Sequence, residues 1–264
     1  MVRRAFILIP AFCIHLCVIL YSLYIEYKFL YLCQLFGSLS NTLFYIHWFC
    51  AISALCLHSF LLFLDPGYTE KNTATEKDVP DHLVHKERIR FCDKCNSLKT
   101  PRIHHCSTCA RCVWRMDHHC VWLARCVGHR NQKYFIHLLF YQLCCAYMDI
   151  VVVSGAVLFG GTVPECQERL PFDGYGTRIF NVCFSYAMCI GFIAFLSNLF
   201  LIQLYCAAYD TTYVEIMKGR KSSNKSTTMD NLRMVCGPLP LLWVIPCTAP
   251  QQVESVRPAE LFSA

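Results

Sequence analysis

The chemistry of this chain is concentrated between Cys92 and Cys126, in CDKCNSLKTPRIHHCSTCARCVWRMDHHCVWLARC. Cysteines recur there as Cys92-x2-Cys95, Cys106-x2-Cys109-x2-Cys112, Cys120 and Cys126. His104, His105, His118 and His119 lie between them, and His129 follows three residues on. Zn2+ takes four thiolate or imidazole ligands in a closed tetrahedral site, and Cys-x2-Cys lets one tight turn aim two sulfurs at one ion. Two such ions take eight ligands, whereas these residues supply twelve. Spacing does not say which four are left over, and a cysteine among them could act as a nucleophile. The same spacing also serves disulfides and buried cysteines. Clustering with histidine and basic residues, on the reducing side of a membrane as argued below, favours metal. The segment is too rich in ligands and turn residues to hold a large apolar core, so metal must supply its folding energy.

Asp117-His118-His119-Cys120 suggests a second chemistry. All four fit on one turn. An imidazole beside a cysteine can take the thiol proton, and an aspartate bonded to that imidazole fixes its tautomer. A metal-bound neighbour such as His119, on the other side of the turn, would hold it rigid. The competing reading makes all four ligands or packing residues.

The elements that must position this segment are membrane helices. The chain is 264 residues long, 55% hydrophobic and 16% charged. Four apolar runs, at about 5–25, 42–64, 134–161 and 179–208, suit bilayer spans, the third broken only by Asp149; the first would be about 31 Å long as a helix. It reads as an uncleaved anchor, not a cleaved signal peptide. With both termini and the long middle segment inside, 21 of the 24 Lys and Arg residues face the cytosol. The expected fold is therefore all-α integral membrane, four transmembrane helices with a cytosolic cysteine-rich double zinc-binding module between helices 2 and 3. Its parts are an N-terminal hairpin (1–67), linker and module (68–133), a C-terminal hairpin (134–208) and a cytosolic tail (209–264). The positive charge suits an anionic leaflet and is not interleaved with stacking aromatics, so no nucleic-acid role is expected. His15, His47 and His58 within the spans read as helix–helix hydrogen bonds, not metal or haem ligands. Asp149 is expected to face the bundle. The loop after the first span is read from Glu26 to Asn41. No internal repeat is read, nor a nucleotide-binding glycine loop. The sequon at Asn224 falls on the cytosolic side and should stay unglycosylated.

The chain resembles the DHHC protein acyltransferases (palmitoyltransferases). The resemblance rests on Cys92-x2-Cys95, Lys99, Pro101-Arg102, His104-His105-Cys106, Cys109, Cys112, Asp117-His118-His119-Cys120, Trp122, Cys126-Val127-Gly128 and Asn131 through Phe135. Asp65-Pro66-Gly67 and the four-span layout add to it. Val121, Ala124, Arg125 and Thr100 depart from the family pattern. Thr211-Thr212-Tyr213-Val214-Glu215 is one residue longer than its Thr-Thr-x-Glu motif, and Asn231 to Gly237 resembles its C-terminal motif.

The resemblance implies two structural Zn2+ sites, one of Cys92, Cys95, His105 and Cys112, the other of Cys106, Cys109, His119 and Cys126. It implies a protein S-acyltransferase that moves a long-chain acyl group, such as palmitoyl, from acyl-CoA to protein cysteines through a Cys120 acyl-enzyme. His118 would act as base and then acid, with Asp117 orienting it. Trp122 and Phe135 would line the acyl chain near its reactive end, and Lys99, Arg102 and Lys133 would meet the CoA phosphates. Partners would be membrane lipid and proteins with membrane-proximal cysteines on the cytosolic side. An endomembrane such as the Golgi or endoplasmic reticulum fits better than the plasma membrane. Two competing readings are a membrane-anchored zinc scaffold of the same fold and a transporter using His47, His58 and Asp149.

Overall fold

The computed structural model describes residues 2–32, 34–72, 90–100, 102–159, 175–219, 226–240 and 243. Most of the expected linker, residues 160–174, Asn224 of the sequon and the residues beyond 243 lie outside these residues. The chain is mostly helical: α1 (Val2–Glu26), α2 (Leu39–Phe63), α3 (Gln132–Phe159), α4 (Tyr175–Ala208), α5 (Tyr213–Met217) and α6 (Thr228–Cys236). Among the described residues, three helices are long and apolar enough to cross a membrane: Leu39–Phe63, Gln132–Leu158 and Cys183–Ala208. Their exposed side chains include Phe49, Val151, Leu158, Ile190 and Leu201. In water those faces would be costly, whereas lipid solvates them.

The first apolar run is helical as α1. The loop expected from Glu26 begins later, because α1 includes Glu26 and passes directly into a π-helix, Tyr27–Leu32. Glu26 is thereby fully buried. Two compact units divide the chain: one contains Phe60–Ile136 and the residues from Ile202 on, the other Ile9–Ser59 and His137–Leu201. In the second, Leu30, Phe44 and Val152 form an apolar cluster.

The first unit holds the cysteine segment, and here the all-α expectation is corrected. The segment folds as three two-stranded antiparallel hairpins: β1 (Arg90–Cys92) with β2 (Ser97–Lys99), β3 (Ile103–Cys106) with β4 (Arg111–Trp114), and β5 (His118–Cys120) with β6 (Arg125–Val127). The expectation of no internal repeat is corrected as well. Cys92 pairs Ser97, Cys106 pairs Arg111 and Cys120 pairs Arg125, each across four turn residues. The last turn residue is left-handed each time: Asn96 (φ 48°), Ala110 (φ 52°) and Ala124 (φ 45°). The hairpins recur every 14 residues, and so do their side chains: Cys92, Cys106 and Cys120 open the turns, and His105 and His119 face Cys112 and Cys126. The third position of the turn is Cys95, then Cys109, then Leu123. Cys120 thus opens a turn built like the two turns that carry a Cys-x2-Cys pair, but Leu123 stands where the second sulfur would be. Alanine in the left-handed region costs about 1–2 kcal/mol, a cost the departure at Ala124 shares with Ala110.

The exit of α2 is fixed to this module. Asp65 Oδ1 accepts the N–H groups of Gly67 and Tyr68, both at 2.9 Å, which closes the turn at Pro66. The Trp114 N–H donates to Gly67 O at 2.9 Å, and the Arg130 N–H to Pro66 O at 3.3 Å. Arg125, which departs from the family pattern, is buried and donates from Nε to Leu62 O at 3.0 Å, binding a carbonyl in the last turn of α2. Gly128 lies where these segments meet. A Cβ there would come 2.6 Å from Pro66 O and 2.8 Å from Val113 Cγ1. The obstacle is backbone, so it cannot swing aside. Gly128→Ala should destabilise the module by about 1–3 kcal/mol, read as a lower melting temperature of the detergent-purified chain; an unchanged melting temperature would refute the close approach.

Candidate active site and metal centres

Strand alternation arranges the site. In β5, successive side chains point to opposite faces. His118 and Cys120 therefore share one face and His119 takes the other. The expectation of a single turn for Asp117 to Cys120 is replaced by a strand, and the strand is what separates the imidazole that joins the cysteines from the other one.

On the His119 face, Nδ1 of His119 is 3.5 Å from Cys106 Sγ, 3.4 Å from Cys109 Sγ and 3.7 Å from Cys126 Sγ. The second cluster has the same form: His105 Nδ1 is 3.6 Å from Cys92 Sγ, 3.3 Å from Cys95 Sγ and 3.8 Å from Cys112 Sγ. Within each group of four, all ligand atoms lie within 4.8 Å of one another. A tetrahedral Zn2+ with ordinary bond lengths sets S···N edges of about 3.6 Å and S···S edges of about 3.8 Å. The donor sets and spacings fit that ion. Each cluster takes two cysteines from the turn of one hairpin and a His–Cys cross-strand pair from the next. Cys120 opens the third turn, and among the described residues no fourth hairpin follows to complete a cluster around it.

On the other face, Asp117 is buried and hydrogen-bonded on both oxygens. Its Oδ2 accepts from His118 Nδ1 at 2.7 Å and from Gln203 Nε2 at 2.7 Å, and its Oδ1 accepts from the Tyr213 N–H at 2.7 Å. Burial alone would raise the Asp117 pKa, but His118 and the N–H donors hold it below the usual carboxylate range. Burial likewise disfavours the His118 imidazolium. Asp117 and the Cys120 sulfur outweigh it and push His118 up to about 9. Cys120 is 6% exposed, and the Phe135 ring lies 5.3 Å from that of His118. Trp122, on the turn after Cys120, is exposed.

A buried polar chain supports Asp117. Gln203 accepts from Gln132 Nε2 at 3.2 Å, and Gln132 accepts from Arg115. Arg115 Nη2 and Arg102 Nη1 both donate to Asp210, at 3.1 and 2.9 Å, and Arg102 Nε donates to Glu215 at 3.0 Å. Glu215 stands three residues after Thr212, whose side chain caps α5 by accepting the Glu215 N–H. The longer Thr-Thr motif thereby resolves: Thr212 is the cap, and Tyr213 supplies the N–H to Asp117. The sequence assigns no role to Gln203, Arg115 or Asp210, and Gln132 enters only as part of the stretch from Asn131 to Phe135. The available signal was a glutamine in an otherwise uncharged run, where an amide needs a partner.

Two of the three expected phosphate partners have internal roles instead. Arg102 is bound by the two carboxylates just named. Lys133 is fully buried and donates from Nζ to Cys236 O at 2.7 Å, at the C-terminal end of α6 where a cation is favoured. Lys99 is placed differently. It lines a 290 Å3 cavity with Arg90, His104, Met116, Val214 and Lys218.

The chain matches the family described as DHHC palmitoyltransferase over residues 85–220. It is 29% identical over 218 residues to probable protein S-acyltransferase 16 of Arabidopsis thaliana, covering 75% of this chain and 74% of that protein. It is 37% identical over 181 residues to palmitoyltransferase PFA4 of Mycosarcoma maydis, covering 60% of this chain and 35% of that protein. With half of its length inside the family match, and the hairpins, clusters and Asp117–His118 pair inside that half, the chain belongs to the DHHC palmitoyltransferase family and is an acyltransferase.

Proposed function

We propose that this protein moves a long-chain fatty acyl group, such as palmitoyl, from acyl-CoA to cysteines of membrane-proximal proteins, with Cys120 carrying the acyl group in between. The observation that carries this reading is the 2.7 Å bond from His118 Nδ1 to Asp117, with Cys120 two positions along the same strand face. Nδ1 bound to a carboxylate leaves Nε2 for the thiol. His118 takes the Cys120 proton, and the thiolate attacks the thioester carbonyl. The new S–C bond forms as the C–S bond to CoA breaks, and His118 returns the proton to the departing CoA sulfur. A substrate cysteine then gives its proton to His118 and attacks the acyl-enzyme; Cys120 leaves as thiolate and recovers the proton.

Cys92, Cys95, His105 and Cys112 hold one Zn2+ in this reading, and Cys106, Cys109, His119 and Cys126 the other; with four protein ligands each, these ions are structural. The basic cavity lined by Lys99, Arg90 and Lys218 suits the CoA phosphates, and Arg102 and Lys133 drop out of that set. Phe135 and Trp122 wall the reactive end of the acyl chain. The full arrangement has four spans, α1 included, both termini and the module in the cytosol, and an endomembrane location.

The test is to incubate the full chain in detergent with labelled palmitoyl-CoA and map the label by peptide mass spectrometry. One modified site among the 20 cysteines is expected, on the peptide that contains Cys120 and released by neutral hydroxylamine. Label fixed elsewhere, or resistant to hydroxylamine, overturns the mechanism.

A further inference from the structure

Within Ile9–Ser59 and His137–Leu201, three helices bring a second set of metal-ligating groups together, far along the chain from the cysteine clusters. Glu26 ends α1, His47 lies in α2 and Asp149 in α3. One ligand atom from each lies within 4.8 Å of the others. Glu26 and His47 are 0% exposed. Ser22, one turn before Glu26, joins the group: its Oγ donates to Asp149 Oδ2 at 2.7 Å and Oδ1 at 2.9 Å, and lies 2.9 Å from His47 Nε2.

With Asp149 ionised, these contacts fix where the protons are. Ser22 has one proton, and the carboxylate, which has none to give when ionised, takes it. His47 Nε2 must therefore donate to Ser22 Oγ. Its Nδ1 then carries a lone pair, and that lone pair is 3.7 Å from Glu26 Oε1, itself an acceptor. With both carboxylates ionised, neither His47 Nδ1 nor either Glu26 oxygen has a donor, and Glu26 and Asp149 hydrogen-bond to each other only if one of them takes up a proton. Acceptors facing one another inside an apolar helix bundle, with two carboxylates in the group, need a cation or added protons between them. A histidine that donates its far N–H to a hydroxyl, itself held by a carboxylate, is also the arrangement that orients an imidazole toward a metal.

We propose that Glu26, His47 and Asp149 bind a divalent first-row transition-metal ion that ties α1, α2 and α3 together. Two carboxylates and an imidazole suit a borderline ion such as Mn2+, Fe2+, Co2+ or Zn2+; the imidazole makes Ca2+ and Mg2+ poor matches, and the absence of a thiolate in the set does the same for Cu+. The 3.7 Å between His47 and Glu26 is near the edge of about 3.4 Å set by a tetrahedral ion with ordinary N and O bonds. A fourth position is left for water. Helices in lipid gain no hydrophobic effect from meeting each other, so an ion bonded to three of them is a strong cross-link. The expected helix–helix hydrogen-bonding role of His47 is only half of its part; Glu26, placed in a loop by sequence, supplies a further ligand beside Asp149.

Mn2+ is the probe, because Cys3His sites prefer softer ions. The full-length chain in detergent is equilibrated with Mn2+, freed of excess, and its Mn and Zn contents measured by mass spectrometry, for wild type, Glu26→Gln and Asp149→Asn. One Mn2+ per chain is expected in the wild type. Binding should be at least tenfold weaker in both variants, with an unchanged zinc content and gel-filtration profile showing that they are folded. No Mn2+ on the wild type means that protons alone hold the group and overturns the proposal. Equal binding by wild type and variants overturns it too, as adventitious. Should one variant fail to fold, the wild-type count and the other variant decide. None of these outcomes depends on the transferase mechanism.

Discussion

Cys120→Ser should abolish acyl-enzyme formation, lowering the rate by about 10^3-fold or more, and leave the metal content untouched. The hydroxyl holds its proton far more tightly than a thiol, so beside His118 it stays un-ionised at neutral pH and is the far weaker nucleophile. Cys120 belongs to neither cluster of four, so no ligand is lost. Cys109→Ser should also silence the enzyme, but by another route. Cys109 is 3.4 Å from His119 Nδ1 and 3.6 Å from Cys126 Sγ, so its loss opens the cluster that holds both strands of the third hairpin. One metal ion should leave, and β5 loses the anchor behind Cys120. Cys95→Ser should release the other ion and spare more activity, because the first hairpin carries none of Asp117, His118 or Cys120. Zinc analysis beside an acylation assay reads all three. Loss of metal from Cys120→Ser, or equal activity loss without metal loss from Cys109→Ser, would break the division of labour between the two faces of β5.

The sequence made much of this division legible, since ligand spacing and the Asp-His-His-Cys string are local features. Eight ligands and one leftover cysteine beside His118 could be set out before any coordinates, with the family resemblance choosing which eight. The 14-residue repeat was equally present, but hidden: its third copy has Leu123 where a cysteine stands twice before. A search for matching cysteines passes over it. The strand was missed because three residues with two histidines and a cysteine show no apolar alternation to read. Arg102 and Lys133 read from the sequence as partners for CoA phosphates because charge alone says nothing about a carboxylate 108 positions away or the end of a helix formed far downstream. Glu26 was assigned to a loop for the same reason: a charged residue at the end of an apolar run reads as a boundary, and only its neighbours on α2 and α3 show that it faces inward.

Asp117→Asn is the second large effect, about 10^3 to 10^4-fold in the rate of acyl-enzyme formation, with zinc content and acyl-CoA binding unchanged. Three N–H donors converge on the carboxylate: Tyr213 on Oδ1, and His118 and Gln203 on Oδ2. An amide offers one acceptor. If its oxygen takes the Oδ1 place, its NH2 faces His118, which must turn its Nδ1 lone pair toward Asn and carry its proton on Nε2, the nitrogen needed to deprotonate Cys120. If the amide is reversed, its NH2 meets the Tyr213 N–H and two buried donors lose their pairing, at about 1–3 kcal/mol each. In both orientations the negative charge that stabilises the His118 imidazolium is gone. Gln203→Leu removes only one of the three donors and leaves the charge, so its loss should be about tenfold, the worth of one buried hydrogen bond. The ratio between the two variants is the informative quantity. An Asp117→Asn enzyme within tenfold of wild type would reduce Asp117 to a packing group held by Gln203 and Tyr213, and His118 would then have to find its proton-transfer geometry without it.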